Sequence, residues 1–312
     1  MSKKKMDYKI IDAHAHLWLR QDAEWNGKRI VTLENGRSHF LGEEVQMVPP
    51  FMIDGRNTAE IFLSNMNYAQ VSAAVITQEY IDGLQNDYLE EVMKRYPNRF
   101  FCCGMCEYFR EDVVEQARAL QARGFRAIKI PANRLKTDAV TVHLTDPKMV
   151  ALFDFMEQEG MILSIDLDDD LSQIAEMEQI ILTHPQLKVA IGHFGMATYP
   201  TFMDQVRLAR YEHVMIESGG ITWLYNSEFY PFHGAIRAIR QAADEVGMEK
   251  LMWGSDYPRT ITAITYRMSY DFVSKSTELT EEEKAMFLGG NAARFYGLTD
   301  LVELPYIKNM SE

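Results

Sequence analysis

The sequence predicts a (β/α)8 barrel of the TIM type, a single domain over residues 1–312, and three observations carry that expectation. Eight short runs rich in aliphatic and β-branched residues recur along the chain. Stretches of helical period separate most of them. No Gly-, Pro- or Ser-rich linker divides the sequence. Strand alternating with helix implies right-handed crossovers onto a parallel sheet, and eight such units favour a sheet closed on itself.

The runs fall at 8–14, 71–77, 100–105, 125–130, 161–166, 188–193, 213–218 and 251–256, each bounded by polar or glycine-containing segments as buried parallel strands are. Helical patterns occupy 86–96, 111–123, 147–159, 171–183 and 234–246, several ending near Gly or Pro. Two segments exceed the bare repeat. Residues 17–57 are too long for a strand-to-helix loop, and within them 28–33 and 37–42 flank Asn35-Gly36, which predicts a β-hairpin. An insertion after the first strand of a barrel lies on the catalytic face, so it is expected to act as a lid or pocket wall. At the other end, residues 278–312 form a helical cap and tail. There Thr280 and Glu283 make a capping box, and a further helix covers Asn291–Tyr296.

Composition narrows the partners. The net charge is −13, and Lys3-Lys4-Lys5, the one basic run, reads as a solvated tail. Such a surface disfavours nucleic acid and anionic membranes, but not a small anion gripped by local cations. The N-terminus carries no apolar signal region and no stretch nears the roughly 18 apolar residues of a membrane span, so a cytoplasmic location is expected. Cys102 and Cys103 are strand neighbours pointing to opposite faces; with Cys106 they read as buried, reduced thiols rather than a zinc site.

Functional side chains of a barrel collect at the C-terminal ends of its strands. Here those ends read His14/His16, Lys129, Asp166, His193, Ser218 and Asp256. His14 and His16, two apart on an extended backbone, face the same way and point to a divalent metal, with Asp12 sharing their parity. Imidazole suits Zn²⁺ first, with Mn²⁺ or Fe²⁺ as alternatives. Asp256, ending the strand that neighbours the first, reaches the same ion as ligand or general base. His193 is read as the imidazole that polarises a carbonyl or stabilises an oxyanion. Lys129 is read as a grip for a substrate carboxylate, a carbamylated metal bridge, or a buried salt-bridge partner, and Asp166 as a further metal ligand or none. Arg259 is a second carboxylate grip, and Tyr80, Trp223 and Tyr225 are loop residues that shape the substrate pocket. His39, His143 and His233 fall in surface loops; His184 and His213 are read as structural.

Together these residues resemble a known family. Ile11-Asp12-Ala13-His14-Ala15-His16-Leu17-Trp18, His184-Pro185 leading into Gly192-His193-Phe194-Gly195, Trp253-Gly254-Ser255-Asp256-Tyr257-Pro258 and Gly290-Asn291-Ala292-Ala293-Arg294-Phe295-Tyr296-Gly297-Leu298 are similar, in this order, to the amidohydrolase-related (amidohydrolase 2) branch of the amidohydrolase superfamily. The resemblance implies a metal held by His14 and His16, Asp256 as ligand or base, and His193 acting on the substrate. It also implies possible homo-oligomers. Asp166 stands where many members carry a metal-binding His, as in the sugar-acid and dicarboxylate lactonases, some of which work without metal. The expected activity is therefore opening of a lactone or related cyclic ester of a small carboxylated or hydroxylated compound by activated water. The alternative is metal-dependent, non-oxidative decarboxylation of an aromatic or unsaturated acid. A barrel kept only as a binding scaffold is the reading from outside enzymology.

Overall fold

The computed structural model describes residues 8–308 and 310; the Lys3-Lys4-Lys5 run lies outside them. The first barrel strand is β1 (Ile10–His16). Four inserted strands follow, β2 (Asp22–Trp25), β3 (Lys28–Thr32), β4 (Arg37–Phe40) and β5 (Glu43–Gln46). The barrel resumes with β6 (Val71–Thr77), β7 (Phe100–Cys102), β8 (Ala127–Ile130) and β9 (Ile162–Ile165). It ends with β10 (Lys188–Ile191), β11 (Val214–Glu217) and β12 (Leu251–Met252).

The eight barrel strands pair in parallel as β1-β6-β7 and β12-β11-β10-β9-β8. Parallel bridges Gly104↔Ile128 and Ala15↔Tyr257 join the two sheets at both seams. Backbone bonds Lys129 N→Gly104 O (2.7 Å) and Ala13 N→Trp253 O (2.8 Å) reinforce them. The ring so closed is a TIM barrel without a free edge. Its interior is packed by alternate residues of successive strands, among them Ile11, Ala73, Phe101, Ala127, Ile162, Ala190, Met215 and Met252. Cys103 lies in this inner cluster and Cys102 in the outer one that packs under the helices; all three cysteines are free and buried.

Helices α1 (Ala59–Ala69), α2 (Asn86–Arg95), α3 (Val113–Ala122), α4 (Pro147–Gln158), α5 (Leu171–Thr183), α6 (Phe202–Leu208), α7 (Ile221–Leu224) and α8 (His233–Val246) fill the crossovers. Helices α9 (Met268–Lys275), α10 (Glu281–Ala285) and α11 (Asn291–Tyr296) complete the chain. His233 is thus the first residue of a helix rather than a loop residue. The capping box is present: Thr280 N donates to Glu283 Oε2 (2.8 Å) and Glu283 N to Thr280 Oγ1 (3.2 Å). Phe295 and Tyr296 of α11 pack into the inner cluster and stopper the barrel at its non-catalytic end. Among the described residues no helix is long and apolar enough to cross a membrane.

Asn291 ties that stopper in place, its Nδ2 donating to Met248 O (2.8 Å) and Leu251 O (2.7 Å) from a fully buried position. Asn291→Ala leaves two carbonyls at the start of β12 short of a donor. The expected cost is about 2–3 kcal/mol, read as a lower urea midpoint at unchanged slope.

The insertion is a four-stranded antiparallel sheet, order β2-β3-β4-β5, rather than a hairpin. The predicted pairing of β3 with β4 forms, with Val31 opposite His39. Two further tight turns add the outer strands. Trp25 pairs with Lys28 around Asn26-Gly27 (φ 51° and 69°), and Phe40 with Glu43 around Leu41-Gly42 (φ 52° and 100°). Both turns put two residues in the left-handed region, the signature of a type I′ hairpin. The sheet rests on its own small core of Trp18, Met47, Val48 and Met52.

Candidate active site

The polar cluster begins with an irregularity in β1. Its register against β6 shifts between Asp12 and Ala15. Ile11 and Ala13 face the barrel interior, yet His14 and His16, of the other parity, also enter the polar cluster there. A bulge of this kind re-aims a side chain, and it corrects the expectation that Asp12 shares a face with the histidines. Asp12 instead stitches β1 to the segment after β12, accepting from Ser255 N (2.8 Å), Ser255 Oγ (2.5 Å), Tyr266 OH (2.8 Å) and His14 N (3.1 Å).

His14 Nδ1 donates to Glu217 Oε1 at 2.5 Å, which leaves Nε2 as a lone pair. That nitrogen lies 3.2 Å from His16 Nε2 and 3.9 Å from Asp256 Oδ1, while His16 Nε2 and Asp256 Oδ1 are 2.9 Å apart. Burial, and then the Arg259 charge, push His16 down to about 4, so its ring is neutral at physiological pH. Burial alone would raise Asp256, but the His16 contact and the Arg259 guanidinium hold it well below the usual carboxylate range. Its other oxygen, Oδ2, accepts from Trp223 Nε1 at 3.0 Å. Arg259 reaches over Trp18, with Nη2 on Asp82 Oδ1 (2.7 Å) and Nη1 3.8 Å from Asp256.

A second group lies beside the first. Lys129 Nζ is 2.5 Å from Asp166 Oδ1, and His193 Nε2 is 3.6 Å from Asp166 Oδ2, with all but His193 fully enclosed. Burial works against every charge here, but mutual attraction wins: Lys129 is held protonated by Asp166 and Glu79, and Asp166 is held ionised by Lys129 and His193. His193, which burial would neutralise, is pushed up to about 10 by Asp166, while Nδ1 donates to Gly219 O at 2.8 Å. Glu79 is pushed up to about 8 by burial and by the neighbouring Asp166. The residues that aim this cluster are strained: His193 and Asp256 adopt φ of 59° and 57°, a conformation costing on the order of 1–3 kcal/mol and tolerated where function over-determines it. Glycines make room for it. A Cβ on Gly192 would lie 2.0 Å from Asp166 Oδ1, and one on Gly254 2.6 Å from Glu217 Oε2.

His14, His16 and Asp256 fit a divalent cation. His14 Nε2 offers a lone pair, and His16, whose buried Nδ1 has no partner, need only carry its proton there for its Nε2 to join Asp256 Oδ1 as a ligand. Their separations bracket the roughly 3.4 Å edge of a tetrahedron with ligand bonds of about 2.0–2.1 Å. His14, Asp166 and His193 form a second set of converging donors. Glu217 supplies the buried carboxylate that metal-ligating histidines use to fix their tautomer.

Of the other expected residues, Tyr225 sends its hydroxyl to Ala197 O (3.4 Å) rather than to the cluster. His39 stands on the exposed side of β4, and exposed His143 pairs with Glu176 at 2.7 Å. His184 is buried between Ile180 O and Asp154. Glu217, Glu79 and Asp82 join the site without belonging to the strand-end set. β11 ends at Glu217 rather than Ser218, and Met215, two residues earlier on the inner face, signals Glu217.

Solved structures of the same fold exist at low identity. A probable 2-pyrone-4,6-dicarboxylic acid hydrolase from Acinetobacter baumannii, with citric acid bound, is 18% identical over 93% of this chain and 99% of its own (TM-score 0.68). An amidohydrolase from Burkholderia multivorans with bound zinc is 16% identical over 93% and 100% (TM-score 0.66). The 5-carboxyvanillate decarboxylase from Sphingomonas paucimobilis is 17% identical over 94% and 100% (TM-score 0.64). No curated protein sequence matches the chain. The family model for the amidohydrolases of the Amidohydro_2 type matches residues 11–298, and the chain belongs to that family.

Proposed function

We propose that the chain is a metal-assisted hydrolase that opens a lactone or related cyclic ester of a small carboxylated or hydroxylated compound. One observation carries the reading: a carboxylate held ionised (Asp256) and an imidazole held protonated (His193) both stand against His14. Environments that drive two titratable groups apart are how one site supplies a base and an acid together. A divalent cation, Zn²⁺ first, held by His14, His16 and Asp256 would supply Lewis acidity and lower the proton affinity of water. Asp256 takes the proton of the attacking water, its geometry fixed by Trp223 at Oδ2. His193 donates from Nε2 to the developing oxyanion and then to the leaving alkoxide. Asp166 keeps His193 charged, and Lys129, fully enclosed, keeps Asp166 ionised. Arg259, with Trp223 at the more open side, is the candidate grip for a substrate carboxylate.

The second reading is decarboxylation of an aromatic or unsaturated acid, favoured by the same protonated His193, because the proton that replaces CO₂ must come from a held donor. The two differ in simple observables. Lactone opening acidifies an unbuffered solution, whereas decarboxylation releases CO₂ and bleaches the substrate's ultraviolet band. The cation is tested separately. Protein purified without chelator is expected to hold one equivalent of divalent metal by elemental analysis, and His16→Ala to lose it with at least ~10²-fold weaker binding. Equal occupancy in both proteins would remove the ion from this site.

A further inference from the structure

A chain of buried polar contacts runs from the inserted sheet to the catalytic cluster. Ser38 Oγ, on β4, donates to Gln21 Oε1 at 2.6 Å, and Gln21 Nε2 donates to Asp82 Oδ1 at 2.8 Å. Arg259 Nη2 donates to the same Asp82 oxygen at 2.7 Å. The other oxygen, Asp82 Oδ2, faces His16 Nδ1 across 3.7 Å, and both atoms are buried without a hydrogen-bond partner. Ser38, Gln21, Asp82 and His16 are each 2% exposed or less, so no solvent competes for these contacts.

We propose that Gln21 is a positioning residue of the cation site: it fixes Asp82 so that one carboxylate oxygen anchors Arg259 and the other serves His16 Nδ1, making the inserted sheet part of the metal centre. The proposal rests on the reading of His14, His16 and Asp256 as the cation site. An imidazole that lends Nε2 to a cation carries its proton on Nδ1, and that proton needs an acceptor. His14 has Glu217. For His16 the acceptor facing Nδ1 is Asp82 Oδ2, and less than about 1 Å of closure turns 3.7 Å into a hydrogen bond.

Residue type and setting both suit the role. An amide donates to Asp82 without neutralising it, leaving its charge for Arg259 and His16. The Ser38 hydroxyl fixes which way the amide points; reversed, its oxygen would oppose the carboxylate. The backbone of Gln21 is pinned on both sides, its N–H on Thr32 Oγ1 (2.9 Å) and its carbonyl accepting from Thr32 N (3.1 Å). The position of Asp82 is thereby set by the docking of β3 and β4.

The test is zinc affinity of the metal-free full chain, measured by competition with a chromophoric chelator. Gln21→Leu is expected to weaken binding about 10-fold or more, Ser38→Ala to weaken it less, and Arg29→Ala, at an exposed pair on β3, to leave it unchanged. Wild-type affinity in Gln21→Leu overturns the proposal, and so does an equal loss in Arg29→Ala, which would assign the effect to sheet stability. If Gln21→Leu does not fold, Gln21→Met, unbranched and of similar length but without a donor, carries the test with the same expected loss. A second arm needs no metal. Nitrogen-15 NMR of the Arg259 guanidinium is expected to show proton exchange at least ~10-fold faster in Gln21→Leu, as its acceptor loosens. A wild type that takes up no zinc sinks the cation reading, and this arm then decides the positioning role alone.

Discussion

Asp256→Asn is expected to lower kcat/KM by about 10³-fold or more on any substrate the wild type turns over, with the melting temperature held within a few degrees. The size follows from two losses at one atom set: removal of a positioned base costs about 10²–10⁴, and an amide is a poor ligand for a divalent cation. Stability survives because Asn reproduces the shape and, like Asp, tolerates the left-handed backbone that position 256 adopts (φ 57°). An alanine there would mix backbone strain with chemistry. The amide oxygen can still accept from Trp223, and the amide nitrogen can donate to the lone pair of His16, so no buried donor is orphaned. What disappears is the negative charge that Arg259 and His16 surround. Initial rates with a responsive lactone or aromatic acid, beside a melting curve, check this. A loss under 10-fold would move the base elsewhere in the cluster.

Much of this site is legible in the sequence, though not through strand parity alone. His14 and His16 do converge, yet a regular β1 with Ala13 inside would have turned both of them away from the barrel; the bulge between Asp12 and Ala15 puts them there. Bulges have no reliable sequence mark, so strand parity alone puts Asp12 on the same face as the histidines. Glu217 could have been found by carrying the inner-face parity of Met215 forward two residues. Gly192 and Gly254 held a signal as well: glycine at the inner position of a strand end means that something passes too close for a Cβ, here Asp166, Glu217 and His14. The inserted sheet was half legible. Asn35-Gly36 marks the turn between β3 and β4, and Asn26-Gly27 marks with equal strength the turn between β2 and β3, and so the strand that continues from Gln21. Asp82 could not have been singled out, because its role depends on where that sheet docks, a tertiary fact with no local pattern.

Asp166→Asn is expected to move the alkaline limb of the pH–rate profile towards acid by two units or more, and its sign follows from His193. With Asp166 ionised, His193 stays protonated up to about 10, so a rate that needs the imidazolium is level through neutrality and falls only above that. Burial opposes the charge, so without Asp166 the imidazole drops to or below its ordinary value of about 6.5. At pH 8 the protonated fraction then falls to roughly 3% or less, and the rate with it, by about 30-fold or more. Folding stability shifts in the same sense. In the wild type the contribution of His193 is fully present below its unfolded value and is lost as pH rises through about 10; in the variant it vanishes. Lys129 is the second consequence. A buried cation stripped of its partner costs about 3–5 kcal/mol, but Glu79 stands ready. Asp166 is one of the two causes that raise Glu79 to about 8, so the neutral amide lets it ionise and take over part of the pairing. The single variant should therefore lose only about 2 kcal/mol, and Asp166→Asn with Glu79→Gln should lose the full amount for an unpaired buried charge. That non-additivity, measured by urea unfolding around a double-mutant cycle, separates a shared acidic pair serving one lysine from two independent carboxylates.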